Sequence, residues 1–106
     1  MIVTIKQGDT YPFLRAYLHM ATGKAIRLSG ANVRLVVKDD KDVIKISKSA
    51  NIVDEETGYV EYRWAATDTS TPGTYIGEFE VTLQNGSIVS VPNDGYFTIN
   101  IVKELG

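Results

Sequence analysis

The chain has 106 residues, 43% of them apolar and none of them cysteine, and a formal net charge of -2. That length closes one core and leaves no room for a second, so a single domain over residues 1–106 is expected. Disulfide frameworks and thiolate metal sites are excluded, and no basic patch or stripe of a nucleic-acid binder is visible.

Taken in chain order, period-two alternation dominates. The opening MIVTIKQGDT reads as a strand from its second residue. It lacks the basic start and apolar core of a signal peptide, so synthesis in the cytoplasm is expected. No stretch approaches the roughly 20 apolar residues of a membrane span, so no membrane insertion is expected. Over residues 13–18, Leu14, Ala16 and Leu18 fall opposite Phe13, Arg15 and Tyr17. Residues 32–38 set Val33, Leu35 and Val37 on one side, and residues 57–64 set Val60, Tyr62 and Trp64 opposite Tyr59, Glu61 and Arg63. The stretch 65–70 is best read as a loop. Residues 74–83 alternate most cleanly, with Tyr75, Gly77, Phe79, Val81 and Leu83 on one face. Phe97, Ile99 and Ile101 complete the pattern. Half-apolar strands of this kind suit sheets with one face buried and the other wet.

Turn signals separate these runs. Asn85-Gly86 predicts a hairpin that pairs residues 74–83 with 87–91, through a type I′ turn with positive φ at both central residues. Many short strands between such turns give the expected fold: an all-β, immunoglobulin-like antiparallel sandwich of about seven to eight strands. Asp68-Thr-Ser-Thr-Pro-Gly-Thr-Tyr75 has the form of the corner in such sandwiches where a tyrosine hydroxyl bonds back to the upstream backbone.

Reactive groups are sparse. His19 is the only histidine and stands before a turn with no partner nearby, so a surface role is expected. Asp39, Asp40 and Asp42, and Asp54, Glu55 and Glu56, read as solvated hairpin tips without calcium-loop spacing. Glu78 and Glu80 share one strand face, whereas catalytic carboxylate pairs flank a bond from opposite sides. Gly23, Gly30 and Gly58 are isolated, so there is no phosphate loop. No catalytic residue, metal or cofactor is expected, and the chain is not read as an enzyme. Tyr59 and Ile76 on presumed outer faces, with Tyr11 and Tyr96 at turns or strand ends, are the candidate protein contacts, because aromatics concentrate in interface cores.

Several segments in series carry a resemblance. They are Ile5-Lys6-Gln7-Gly8-Asp9-Thr10, Leu28-Ser29-Gly30-Ala31-Asn32-Val33, Gly58-Tyr59-Val60-Glu61-Tyr62-Arg63-Trp64, Thr71-Pro72-Gly73-Thr74-Tyr75, Glu78-Phe79-Glu80-Val81 and Val91-Pro92-Asn93-Asp94-Gly95-Tyr96. In this order the chain resembles the N-terminal domain of the baseplate upper protein family of tailed bacteriophages. The resemblance implies an immunoglobulin-like virion module in the tail or baseplate, anchoring a receptor-binding assembly. Its expected partners are other virion proteins of the tail or baseplate core, with a homo-oligomer possible and no nucleic acid. The alternative on the same fold is a carbohydrate-binding or adhesion module, with Tyr59 or Tyr96 as its platform.

Overall fold

The computed structural model describes residues 1–105. Its strands are β1 (Ile2–Lys6), β2 (Leu14–Tyr17), β3 (Asn32–Lys38), β4 (Ile44–Asp54), β5 (Tyr59–Tyr62), β6 (Gly73–Thr82), β7 (Ile88–Val91) and β8 (Phe97–Val102). The chain is therefore all-β, and its strands run β1-β8-β6-β3-β4-β5-β2, with β7 also on β6. The sheet curls into a sandwich that is nearly a barrel.

Strand β4 makes the curl. Its first part pairs with β3, from Ile44 to Ala50, and its last part pairs with β5, from Asn51 to Asp54. One long strand thus belongs to both layers, the way sandwich corners are turned. On the other flank β1 leads through residues 7–13 to β2, which lies at the opposite end of the strand order. Strand β6 carries β3 along one side. Along its other side lie β8, opposite Gly73 to Gly77, and β7, opposite Phe79 to Thr82.

The expected alternation is observed. Val33, Leu35, Val37, Val60, Tyr62, Trp64, Tyr75, Phe79, Val81, Phe97, Ile99 and Ile101 are all buried between the layers. Phe79 and Phe97 stack at the centre with ring centroids 5.7 Å apart. Gly77 is needed beside them: a Cβ there would lie 2.9 Å from the Phe97 ring. Gly58 is required twice over, by its φ of +70° and because a Cβ would meet the Leu18 carbonyl oxygen at 2.6 Å.

Four details depart from the sequence reading. Strand β1 pairs with β8 in parallel, so the sheet is mixed and not purely antiparallel. Its direction follows from the crossing to β2, whereas β8 runs antiparallel to β6. The stretch read as a loop contains a 3₁₀ turn, Ala66–Thr69, closed by Asp68 Oδ2 accepting the Ala65 N–H at 2.8 Å. The β6–β7 hairpin is present, but only Gly86 has positive φ there, +89°. Its loop is the three-residue form, with the Gly86 N–H bonded to the Leu83 carbonyl and the Leu83 N–H to Ser87. Finally, β4 had no counterpart in the alternation, because Lys48 occupies a core-side position opposite Leu35.

The tyrosine corner is in place. The Tyr75 hydroxyl donates to the Thr71 carbonyl at 2.6 Å, immediately before β6 begins. Burial pushes the Tyr75 phenol above its ordinary value, and the Asp39 and Asp40 charges add to the shift.

Candidate functional site: two outer-face patches

The four candidate contact residues separate into two groups on different faces. Tyr11 and Tyr59 belong to the outer face of the β2–β5 layer. There Tyr59 stands directly across from Tyr17, and their rings stack at 4.4 Å with an 18° interplanar angle. Tyr59 is half-buried by this, while Tyr17 remains 59% exposed. One step along the ladder, Arg15 faces Glu61. Glu61 accepts from Arg15 Nε at 3.3 Å and from Arg63 Nε at 3.0 Å. The bond from Arg63 holds the Glu61 carboxyl below the usual carboxylate range, with Arg15 adding to it. Arg63 in turn lies over the Phe13 ring at 5.0 Å, and Phe13 meets Tyr11 edge-on at 5.3 Å. The result is a continuous stripe of tyrosines and arginines, residue types that dominate binding energy in protein interfaces.

Period-two alternation places Phe13, Arg15 and Tyr17 on one side of β2, and Tyr59, Glu61 and Arg63 on one side of β5. Arg15, Tyr17 and Arg63 were not singled out as candidates, because nothing local says that β2 pairs with β5. That pairing was the missing signal.

Ile76 and Tyr96 come together on the outer face of the other layer. With Val36, Lys38, Asp42 and Glu78 they line a shallow groove of about 120 Å³. Ile76 lies between Lys38 of β3 and Thr98 of β8. Tyr96 is 63% exposed, on the residue 92–96 loop that bulges between β7 and β8. Lys38 and Asp42 in its lining form an ion pair at 3.1 Å.

The remaining polar candidates act locally. His19 Nδ1 lies 3.0 Å from the Tyr17 carbonyl oxygen, which it caps when that nitrogen carries the proton. Asp39 accepts the Lys41 and Val43 N–H groups at 2.9 Å each, and the Val43 bond holds its carboxyl below the ordinary value. Asp54 accepts the Glu56 N–H at 3.0 Å. Both act as turn formers. Among the described residues no three histidine or acidic side chains converge as a metal site.

One buried polar cluster was not foreseen. The Asp68 side chain is only 3% exposed and accepts the Tyr62 hydroxyl at 2.6 Å, the Ala65 N–H at 2.8 Å and Lys48 Nζ at 2.9 Å. Burial alone would raise its carboxyl, but these donors outweigh burial and hold it below the ordinary value. Tyr62 is pushed far up, by burial first and by the Asp68 carboxylate second.

No protein-family model matches the chain, and no curated protein matches it. Solved structures do share its fold. The N-terminal domain of phage TP901-1 ORF48 superposes with a TM-score of 0.62 at 14% identity, over 98% of this chain and 85% of that one. CopC from Methylosinus trichosporium OB3b superposes with a TM-score of 0.57 at 10% identity, over 98% and 86%. At these identities the likeness is one of fold.

Proposed function

We propose that this chain is a bacteriophage virion structural module, a tail or baseplate assembly or adaptor domain that works through protein–protein contacts. The observation that carries the reading is the fold likeness to a phage N-terminal domain over 98% of the chain. The ordered series of segments from Ile5 to Tyr96 supports it. So does the physical character of the molecule: a close-packed sandwich that presents two faces rather than a cleft of converging acid, base and nucleophile. In this reading the partners are other virion proteins, and the Tyr17–Arg15–Arg63 stripe and the Ile76–Tyr96 groove are the surfaces they meet.

The test is immunogold labelling of particles from a producing culture, with antibody raised against the purified chain. Label at the tail tip or baseplate is expected. Purified particles that contain none of the chain by mass spectrometry would overturn the reading.

The exposed Tyr17 beside Tyr59, and Tyr96 on its loop, favour one alternative, a carbohydrate-binding or adhesion module. Titration with a glycan panel separates the two. Saturable binding lost on Tyr17→Ala or Tyr96→Ala belongs to the alternative, and no binding belongs to the structural module.

A further inference from the structure

Strand β1, with the sequence IVTIK, forms one end of the strand order and pairs only with β8, in parallel. Alternate residues of a strand turn their backbone groups toward each side. The Thr98 N–H bonds to the Met1 carbonyl and the Gln7 N–H to the Val102 carbonyl, so Met1, Val3, Ile5 and Gln7 face β8. The backbone groups of Ile2, Thr4 and Lys6 therefore point away from the sheet. Only the Lys6 carbonyl among them is taken, by the Asp9 N–H at 3.0 Å. The N–H and C=O of Ile2 and Thr4 and the N–H of Lys6 have no protein partner among the described residues.

Two other strand edges each have one outward carbonyl met by a side chain. On β7 the Ser90 carbonyl receives Asn93 Nδ2 at 2.9 Å, and on β2 the Tyr17 carbonyl lies 3.0 Å from His19 Nδ1. On β1 the one outward carbonyl taken is that of Lys6, at its C-terminal end, and the strand has no proline and no bulge. Its one edge-protecting charge is Lys6, and Ile2 is 71% exposed. An edge of β-branched residues with the backbone groups of Ile2 and Thr4 open is a template for another strand.

The sequence of this edge says which strand. If a second copy is related by a two-fold axis through Thr4, Thr4 lies opposite its own counterpart, a favourable cross-strand pair. Ile2 then faces Lys6 of the other copy and lies along its aliphatic stem, while Val3 faces Ile5 on the core side. No like charges meet. This is also the one two-fold antiparallel register that brings in Ile2, Thr4 and Lys6 together, the Lys6 carbonyl being shared with the Asp9 N–H. Centring on Lys6 instead would set the two lysines against each other.

We infer that β1 is a self-association edge, which pairs antiparallel with β1 of a second copy in register about Thr4 and joins the two sheets into one. The inference rests on the edge alone and stands apart from the virion reading. One short strand pair covers less than the roughly 1,200–2,000 Å² of a standard interface, so the dimer is weak and concentration-dependent in free solution. It strengthens when an assembly holds copies close together.

The chain lacks cysteine, so Thr4→Cys introduces a sole thiol. The two counterparts would lie about 5.5 Å apart between Cα atoms, within disulfide range. Under mild oxidation T4C is expected to form covalent dimer about ten-fold faster than Ser87→Cys at the exposed β6–β7 hairpin, as pre-pairing raises the effective thiol concentration. Equal rates overturn the inference. Light scattering at high concentration supplies the second arm, with unfolding midpoints confirming that each variant is folded. Ile2→Lys opposes two lysines and is expected to reduce the dimer fraction, and adding Lys6→Glu restores it. Failure of that rescue overturns the register. A wild-type chain that stays monomeric, with no excess T4C cross-linking, overturns self-pairing.

Discussion

Asp68 and Glu61 invite comparison. Each carboxylate accepts from several donors, and each is held below its ordinary titration range. Their donors differ in kind. Asp68 receives a backbone N–H, a core tyrosine hydroxyl and a lysine that reaches in from β4. It therefore ties the 3₁₀ turn to β5 and β4 and fixes the path of the chain toward the tyrosine corner. Glu61 receives only two arginine side chains, on an outer face. Removing it changes where two guanidiniums point and leaves the backbone untouched. Similar electrostatics thus serve the fold in one place and surface presentation in the other.

The contrast can be broken from the inside first. Phe79→Ala removes a buried ring stacked on Phe97 and is expected to cost about 3–5 kcal/mol in a denaturant titration. Next comes Asp68→Asn. It leaves the Lys48 ammonium without its counter-charge and sets an amide where donors converge, an expected loss of about 2–3 kcal/mol. Its signature lies in the pH dependence. Because folding lowers the Asp68 pKa, its stabilisation is fully present above the unfolded value, near 3.8, and is lost as pH falls through the still lower folded value. Acid titration of the unfolding midpoint should therefore be flatter below that pH in D68N than in the wild type. An unchanged acid limb would separate Asp68 from the fold.

How far the sequence discloses this contrast depends on the reach of each interaction. Alternation was enough to place Val33, Leu35 and Val37, or Phe97, Ile99 and Ile101, in the core, because each strand buries one face. The corner was legible for the same local reason: Thr71 and Tyr75 are four residues apart along the chain. Strand β4 was illegible because Lys48 sits on its core side and leaves to meet Asp68, breaking the apolar pattern that betrays a strand. The parallel direction of β1 was equally hidden, since the whole domain lies between it and β8. Of the candidate contacts, Tyr59 and Ile76 were placed outward correctly by alternation. That Tyr11 and Tyr59 share one stripe while Ile76 and Tyr96 share another follows from strand pairing, and Arg15 meets Glu61 across 46 residues of chain.

Tyr75→Phe probes the same path as Asp68 one step further along, at a single hydrogen bond. The ring stays buried and only the bond to the Thr71 carbonyl goes, so the expected loss is about 1 kcal/mol. The D68N/Y75F double variant sharpens the comparison. If the two groups fix one continuous stretch of backbone, their losses in denaturant titrations are non-additive, as for coupled neighbours. Simple additivity would mean that the turn and the corner are set independently.

The smallest expected effect is at Glu61. In Glu61→Ala the unfolding midpoint should stay within experimental error, since ion pairs to arginines that stand largely in solvent contribute little to folding. Side-chain order is where the change should appear. In the wild type the Arg15 and Arg63 Nε–H groups are bonded to one carboxylate, so their NMR signals should be protected from exchange with water. Losing the carboxylate should expose both, while Arg63 keeps its position over the Phe13 ring through its contact with the aromatic face. If the midpoint dropped as far as in D68N, Glu61 would belong to the fold and the stripe would lose its standing as a surface arranged for contact. If the midpoint held and both signals broadened, the carboxylate would be a device for aiming arginines on an otherwise finished scaffold.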